Sequence, residues 1–162
     1  MSKPVKKIMV YIDGTEQSIT AAQYAICMAS CSEAELIAHY VINTKAMDDL
    51  LKARIFLQDE ELEYEHDMAA DAERYLNYVS ELAIAKGVSI TKKTSRGSVS
   101  KEIVDSIKED NVDMLVIGEL SHIRSRMDEF YDETERAMRS APCSVLIVKD
   151  PMKVMDLYDS LV

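Results

Sequence analysis

The sequence predicts an α/β protein built on a single doubly wound open sheet of parallel strands, with helices on both faces. Short apolar runs alternate with longer segments of helical period, in the order β-α-β-α-β-α-β-α-β. Two of the runs, at 113–117 and 144–148, are almost wholly apolar, which is typical of parallel strands covered on both faces. The 162 residues contain no internal repeat, low-complexity tract or linker, so we expect one domain.

The first strand is predicted at Lys7–Ile12, a run of apolar, β-branched and aromatic residues that stops at the turn dipeptide Asp13-Gly14. A helix follows from about Ser18, with apolar residues at helical spacing on one face. They are Ala22, Ala25, Ile26 and Ala29. Their small size favours close packing on the sheet.

The second strand is predicted at 36–42 and a third at 89–94. The third is more polar than the others, so it belongs at an edge of the sheet. Between them runs the longest helical pattern, from Leu62 to Ala83, which stops at Gly87 and supplies a long crossover.

A helix is predicted before each of the last two strands. Ser98 is expected to cap the helix before the fourth strand, and the helix before the fifth strand ends before Pro142. The positions that mark these helices are Val99, Ile103, Val104 and Ile107, then Phe130, Thr134, Ala137 and Met138. In a parallel sheet with right-handed crossovers, ligands bind at the carboxyl ends of the strands, where the strand order reverses.

Composition excludes several classes of function. The formal charge of −10 repels nucleic acid, because no basic face is segregated from the acids. No apolar run reaches the ~18 residues of a membrane span, and residues 1–7 lack the apolar stretch of a signal peptide, so we expect a cytoplasmic protein without a membrane partner. Three cysteines, Cys27, Cys31 and Cys143, cannot all pair and are interpreted as reduced thiols.

No catalytic or metal-binding set is predicted. Cys27 and Cys31 are four residues apart, but two further ligands at zinc-like spacing are missing, which favours buried structural thiols. His39 and Asp13 suggest an acid–base pair at the strand ends, but no nucleophile in a strained turn accompanies them. We therefore prefer a half-buried, hydrogen-bonded His39. The Gly-rich motifs of dinucleotide-binding proteins and P-loop enzymes do not occur.

Four segments, in their order and spacing, resemble universal stress proteins over about residues 4–149. The segments are 12–18, 38–41, 116–118 and 141–148. The resemblance implies a universal stress protein domain at 1–149 with a C-terminal extension at 150–162. It also implies a five-stranded sheet in the order 3-2-1-4-5 and a regulatory or structural role without enzymatic activity.

The same resemblance implies a homodimer, since members of the family commonly pair their fifth strands across a two-fold axis. Here that strand consists of Ser144, Val145, Leu146, Ile147 and Val148. In the extension, apolar residues from Val154 to Leu161 fall on one helical face and predict a short amphipathic helix, packed on the dimer or offered to a protein partner. A frayed terminus is the alternative.

One kind of universal stress protein binds ATP through Gly, two residues, Gly, nine residues, then Gly-Ser or Gly-Thr, after the fourth strand. Gly118 keeps the first glycine, but Ser121 replaces the second and Tyr131-Asp132 replaces the final pair. A ring and a carboxylate at the last two positions oppose the close approach of phosphate. The resemblance therefore implies no tightly held ATP and no cofactor, although Arg124 and Arg126 leave binding of a nucleotide or other anion open.

The nucleoside half of the family's cleft is better kept. Asp13 stands where the family's aspartate contacts the nucleoside, and Tyr40-Val41 matches the stretch that packs on adenine. With Gly14, Gly118 and Ser121 these are the candidate cofactor-binding residues. An aspartate after a strand is also an ordinary turn former. Three functions stay open: a nucleotide-independent regulatory dimer, a nucleotide-responsive switch of the same fold, and a small-molecule enzyme.

Overall fold

In a computed structural model of the chain, residues 2–45, 48, 52, 58–120 and 133–162 are described. Within them, five parallel strands form one sheet in the order β3-β2-β1-β4-β5. The strands are β1 (Lys7–Ile12), β2 (Glu35–Asn43), β3 (Ile90–Gly97), β4 (Met114–Gly118) and β5 (Ser144–Val148). The predicted fold class and strand order are confirmed.

Helices cover both faces of the sheet. They are α1 (Glu16–Ser32), α2 (Gln58–Ile84), α3 (Val99–Asp110), α4 (Glu133–Ser140) and α5 (Pro151–Ser160). One core lies between the sheet and α1, α2 and α5, and the other lies between the sheet and α3 and α4. Both faces are therefore apolar, as the continuous hydrophobic runs of β1 and β4 predict.

Alternation along β1 feeds both cores. Ile8, Val10 and Ile12 point into the first, whereas Met9 and Tyr11 point into the second. Fully burying an isoleucine or valine side chain stabilises the fold by about 1.5–3 kcal/mol. Ala21, Ala22, Ala25 and Ile26 of α1 are all fully buried. Because the three alanines are small, the backbone of α1 lies close to the sheet.

The predicted strand boundaries agree with the structure at β1 and β5, whose ends are clear changes of composition. β3 extends beyond the predicted end to Gly97, because its polar residues pair in register with β2 as far as Asn43. Its place at the sheet edge is confirmed. A polar side chain on an edge strand remains solvated, so propensity alone underestimates the length of such a strand.

Ser98 is the N-cap residue of α3, but its side chain does not cap the helix. Its hydroxyl instead donates to Glu133 Oε2 (3.2 Å), and the same carboxylate oxygen accepts the backbone N–H of Ser100 (3.2 Å). The predicted serine cap is therefore wrong in its mechanism. A carboxylate from α4 satisfies the free N–H at the positive end of the helix dipole.

The C-terminal extension forms α5, which packs on its own chain. Val154 and Tyr158 are buried against the core that contains α1. Tyr158 Oη donates to the carbonyl of Leu82 (2.7 Å), and Lys86 Nζ donates to the carbonyl of Leu161 (3.0 Å). The predicted amphipathic helix is present. Val154 and Tyr158 of its apolar face are covered by α1 and the end of α2, whereas Leu157 is exposed.

All three cysteines are free. Cys27 is buried, but Cys31 is exposed, so the interpretation of both as buried thiols is wrong for Cys31. Cys27 lies in the core that also contains Val154 and Tyr158 of α5, whereas Cys31 lies a turn further along, at the end of α1. Across the described part of the chain, no helix is long and apolar enough to cross a membrane.

Candidate functional site

The candidate site lies at the carboxyl ends of β1 and β4, where the strand order reverses. A cavity of about 100 Å³ opens there. Its walls include Tyr11, Asp13, Thr15, Gly118, Glu119 and Thr134. Of the sequence-predicted residues, the structure brings Asp13 and Gly118 together at this cavity.

Asp13 makes the turn that leads from β1 into α1. Its Oδ1 accepts the backbone N–H of Thr15 (3.0 Å) and the Thr15 hydroxyl (2.6 Å). Thr15 is in turn the N-cap of α1, with its own hydroxyl accepting from the Ser18 N–H (3.2 Å). Asp13 therefore has the turn-forming role that its type and place also predicted.

Gly14 has a positive φ of 83°, and an aromatic ring covers it. An ideal Cβ at Gly14 would lie 2.6 Å from Cε2 of Tyr75. The Tyr75 ring also stacks on Tyr40, with centroids 6.4 Å apart, and the Arg74 guanidinium lies 5.0 Å from its centroid. Both the turn and this close contact require glycine at position 14.

Tyr40 and Val41 do not form a common surface. They are adjacent in β2, so their side chains point to opposite faces. Tyr40 belongs to the core with α1 and α2, and Val41 to the core with α3 and α4. Both are buried, with 8% and 4% exposure. The structure thus does not bring their two side chains together as one platform for a base.

Gly118 ends β4 against the first turn of α1. A Cβ there would lie 2.5 Å from the carbonyl oxygen of Gln17, a distance that the backbone does not permit. This close approach accounts for glycine at position 118 without any phosphate ligand. Ser121 and five other residues singled out from the sequence lie outside the described residues. The five are Arg124, Arg126, Phe130, Tyr131 and Asp132.

The cavity is acidic. Its described lining contains the carboxylates of Asp13 and Glu119 and no lysine or arginine. Burial raises the pKa of Tyr11 far above its usual value, and the nearby charge of Asp13 adds to the effect. Tyr11 therefore stays a neutral phenol, and the lining offers hydroxyls and carboxylates to any ligand.

Glu133, next in sequence to the lining residue Thr134, makes a set of contacts that the sequence pattern did not reveal. Its Oε2 accepts three hydrogen bonds, from the Ser98 hydroxyl and from the N–H and hydroxyl of Ser100 (2.7 Å for the last). Its Oε1 accepts from Arg136 (3.3 Å) and lies 3.9 Å from Lys45 Nζ. Burial alone would raise the pKa of Glu133, but these hydrogen bonds outweigh burial and lower it. No local motif signals a contact made across 33 residues of sequence.

His39 lies in the middle of β2 and is fully buried, so the expected half-buried position at the strand mouth is wrong. Its Nε2 is 2.7 Å from the hydroxyl of Ser95 on β3. Burial, together with the charge of Lys93, lowers the pKa of His39 to about 4. Because Asp13 bonds Thr15 and His39 bonds Ser95, the hypothetical acid–base pair is not assembled. Among the described residues, no group of three or more His, Cys, Asp or Glu side chains is arranged to hold a metal ion.

The open five-stranded parallel sheet and the cavity at its switch point define an α/β protein of the doubly wound class with a small, acidic cleft. A model of the universal stress protein family matches residues 4–149. The chain belongs to the universal stress protein family.

Similar proteins agree with this assignment. Universal stress protein MJ0531 of Methanocaldococcus jannaschii is 30% identical over 148 residues, which cover 91% of this chain and 84% of the relative. The structure of hypothetical protein MJ0577 has a TM-score of 0.71 at 19% identity, covering 91% of this chain and 98% of that one. A universal stress protein in complex with cAMP has a TM-score of 0.68 at 23% identity, covering 91% and 99% of the two chains.

Proposed function

We propose that this universal stress protein is a homodimeric regulatory protein that works without a bound nucleotide. The observation that carries the proposal is the size and charge of the cleft. Between its described walls the cavity has a volume of about 100 Å³, well below the roughly 300–1,000 Å³ of typical ligand pockets. Its two described carboxylates, Asp13 and Glu119, also repel phosphate.

The structural roles of the candidate residues support the same proposal. Asp13 Oδ1 accepts both the N–H and the hydroxyl of Thr15, so the helix-entry turn by itself accounts for an aspartate at this position. Gly14 and Gly118 are explained by Tyr75 and Gln17 respectively. Asp13, Gly14 and Gly118 thus have structural roles that need no ligand. A further argument comes from the sequence, in which Ser121, Tyr131 and Asp132 stand where the family's phosphate loop has glycine, glycine and serine or threonine.

The edge of the sheet supports the homodimer. In the described residues β5 pairs with β4 on one side, and its other side has no partner strand. Val145, Leu146 and Ile147 are only partly buried there. An apolar edge strand is an aggregation hazard unless it is covered, whereas the opposite edge, β3, carries charged residues that protect it. A second copy of β5 across a two-fold axis would satisfy this edge.

Nucleotide content and titration test the proposal. The purified protein, denatured and filtered, should release no material that absorbs at 260 nm or has the mass of a nucleotide. Calorimetric titration with ATP, and separately with cAMP, should give no dissociation constant below about 100 μM, which corresponds to a binding free energy of about −5.5 kcal/mol. Release of one nucleotide per chain, or a micromolar dissociation constant, would refute nucleotide independence. The homodimer is tested separately, by the mass of the protein in solution.

The alternative is a nucleotide-responsive switch of the same fold. The similar structure of a universal stress protein in complex with cAMP favours it. Arg124 and Arg126 would then have to supply the positive charge that the described walls lack. An enzyme using Asp13 and His39 gains no support, since the two side chains bond different partners.

A further inference from the structure

His39 is buried with only one of its two ring nitrogens hydrogen-bonded. The Ser95 hydroxyl lies 2.7 Å from Nε2. Nδ1 is also buried, and no hydrogen-bond partner for it exists among the described residues. A second proton on the imidazole would therefore stay without an acceptor in an apolar layer that includes Ile37 and Val41.

The charged neighbours make that proton still less favourable. Lys93 is the register partner of His39 on β3 and places an ammonium on the same face of the sheet. Lys93 Nζ is itself held by Asp110 (2.9 Å) and Glu109 (3.5 Å) of α3. Three groups on neighbouring strands lie beside His39: Tyr11 of β1, and Lys93 and Ser95 of β3. Around Lys93, helix α3 contributes Ser106, Glu109 and Asp110.

The charges near His39 partly offset one another, because Lys93 is paired with carboxylates of α3. Asp110 attracts a proton to His39, but its carboxylate already bonds Lys93 and accepts from the Ser106 hydroxyl (3.3 Å). Tyr11 is a neutral phenol. Burial is the largest cause of the shift, Lys93 adds to it and Asp110 opposes it, and the pKa of His39 falls from 6.5 to about 4.

Protonation of His39 would act on the edge strand in particular. β3 pairs with β2 alone among the described strands. Its exposed side chains, at Lys92, Thr94 and Arg96, bury little apolar surface. Strands with few apolar contacts open locally at lower free energy than the core of a sheet. A cation buried at the contact between His39 and Ser95 would therefore favour opening of β3 over opening of the inner strands.

We propose that His39 is an acid sensor: the neutral imidazole holds edge strand β3 on the sheet, and a second proton on the ring releases β3. Below neutral pH, His39 binds a second proton when β3 is detached or the chain is unfolded, but not while β3 is paired with β2. The stabilisation by neutral His39 is complete above pH 6.5 and decreases as the pH falls from 6.5 towards 4. For one such group, the equilibrium constant for opening rises about twentyfold between pH 7 and pH 5.

Hydrogen exchange and unfolding of the full chain test this sensor. Amide exchange, corrected for intrinsic rates, should lose protection between pH 7 and pH 5 at 90–97 and much less at 7–12. His39→Gln keeps a polar group for Ser95 but does not titrate, so its β3 protection should be the same at both pH values. His66→Gln is the matched control, because His66 is exposed on α2, and it should behave as wild type.

A direct titration keeps the proposal falsifiable even if His39→Gln folds poorly. The imidazole NMR signals of His39 in the folded wild type should show a neutral ring down to about pH 5. Titration of that ring near pH 6.5 in the folded protein would overturn the proposal. Equal loss of protection in 7–12 and 90–97, or the same pH dependence in wild type and His39→Gln, would also overturn it.

Discussion

Gly118 and Gln17 approach so closely that no side chain fits between them: a Cβ on residue 118 would lie 2.5 Å from the Gln17 carbonyl oxygen. The contact joins the end of β4 to the first turn of α1, beside the only sheet position where the strand order reverses in the described fold. A glycine that matches a ligand-binding motif therefore has a purely structural reason to be there.

The first prediction tests this contact. Gly118→Ala should lower the free energy of unfolding by about 3 kcal/mol, at the upper part of the range for overpacking, because the obstacle is backbone. Urea denaturation measures it. Gly87→Ala is the control: Gly87 has a φ of 71° but no atom within 4 Å of its Cβ position, so only about 1 kcal/mol of backbone strain is expected. Equal costs for the two variants would contradict the close contact.

The second prediction concerns ATP. Changing Ser121→Gly, Tyr131→Gly and Asp132→Ser together restores the family's phosphate motif at unchanged spacing. Affinity for ATP should rise at least tenfold, since removal of even ~1.4 kcal/mol of repulsion has that effect. Asp128→Ser, which removes an acid outside the motif, should leave ATP affinity unchanged. Negligible binding by the triple variant would mean that the small cleft at Tyr11 and Asp13 excludes nucleotides by itself.

The third prediction concerns assembly. Light scattering at micromolar concentration should give twice the 18.3 kDa of one chain. Val145→Lys or Ile147→Lys should shift the protein towards monomer, because each places a charge in the proposed β5 interface. Thr94→Lys, on the opposite edge strand, is exposed and should remain dimeric. A wild-type monomer, or dissociation caused equally by Thr94→Lys, would argue against β5 pairing.

The fourth prediction concerns α5. Tyr158→Phe removes the hydrogen bond to the Leu82 carbonyl and should cost about 1 kcal/mol of stability. Tyr158→Ala also removes the buried ring and should cost about 3–5 kcal/mol. Leu157→Ala is the neighbouring control, because Leu157 is 39% exposed. If thermal unfolding of Tyr158→Ala matched that of Leu157→Ala, α5 would not be part of the cooperative fold.

The fifth prediction is a pH dependence at Glu133. Its folded-state pKa lies below the ordinary 4.5, so its stabilisation is complete above pH 4.5 and is lost as pH falls through the folded-state value. Glu133→Gln should cost about 2 kcal/mol at pH 7, where the charged acceptor is lost, and much less at pH 3. Glu81→Gln, an exposed change on α2, should cost under about 0.5 kcal/mol. A cost for Glu133→Gln that did not fall at pH 3 would contradict the assigned charge.

The sequence predicted most of the fold because hydrophobic period is a local property. The apolar run Lys7–Ile12 and the polar character of β3 each follow from a few neighbouring residues, and the structure agrees with both. It predicted less of the site. Asp13 stands at a strand end, and Gly118 matches the first glycine of the family's motif. Tyr40 and Val41 were taken together from the family resemblance, although a strand points their side chains to opposite faces.

By itself the sequence determined the class of fold, its alternating order of elements and its family. Each of these can be recognised from short segments, without knowing which other segments they contact in the fold. Only the tertiary structure decided what the polar residues do. Glu133 reaches the start of α3 and His39 reaches Ser95 across 33 and 56 residues of sequence. Burial and hydrogen bonding depend on all elements packed around a group, so no local pattern reports whether a charged or titratable side chain is exposed, capped or enclosed.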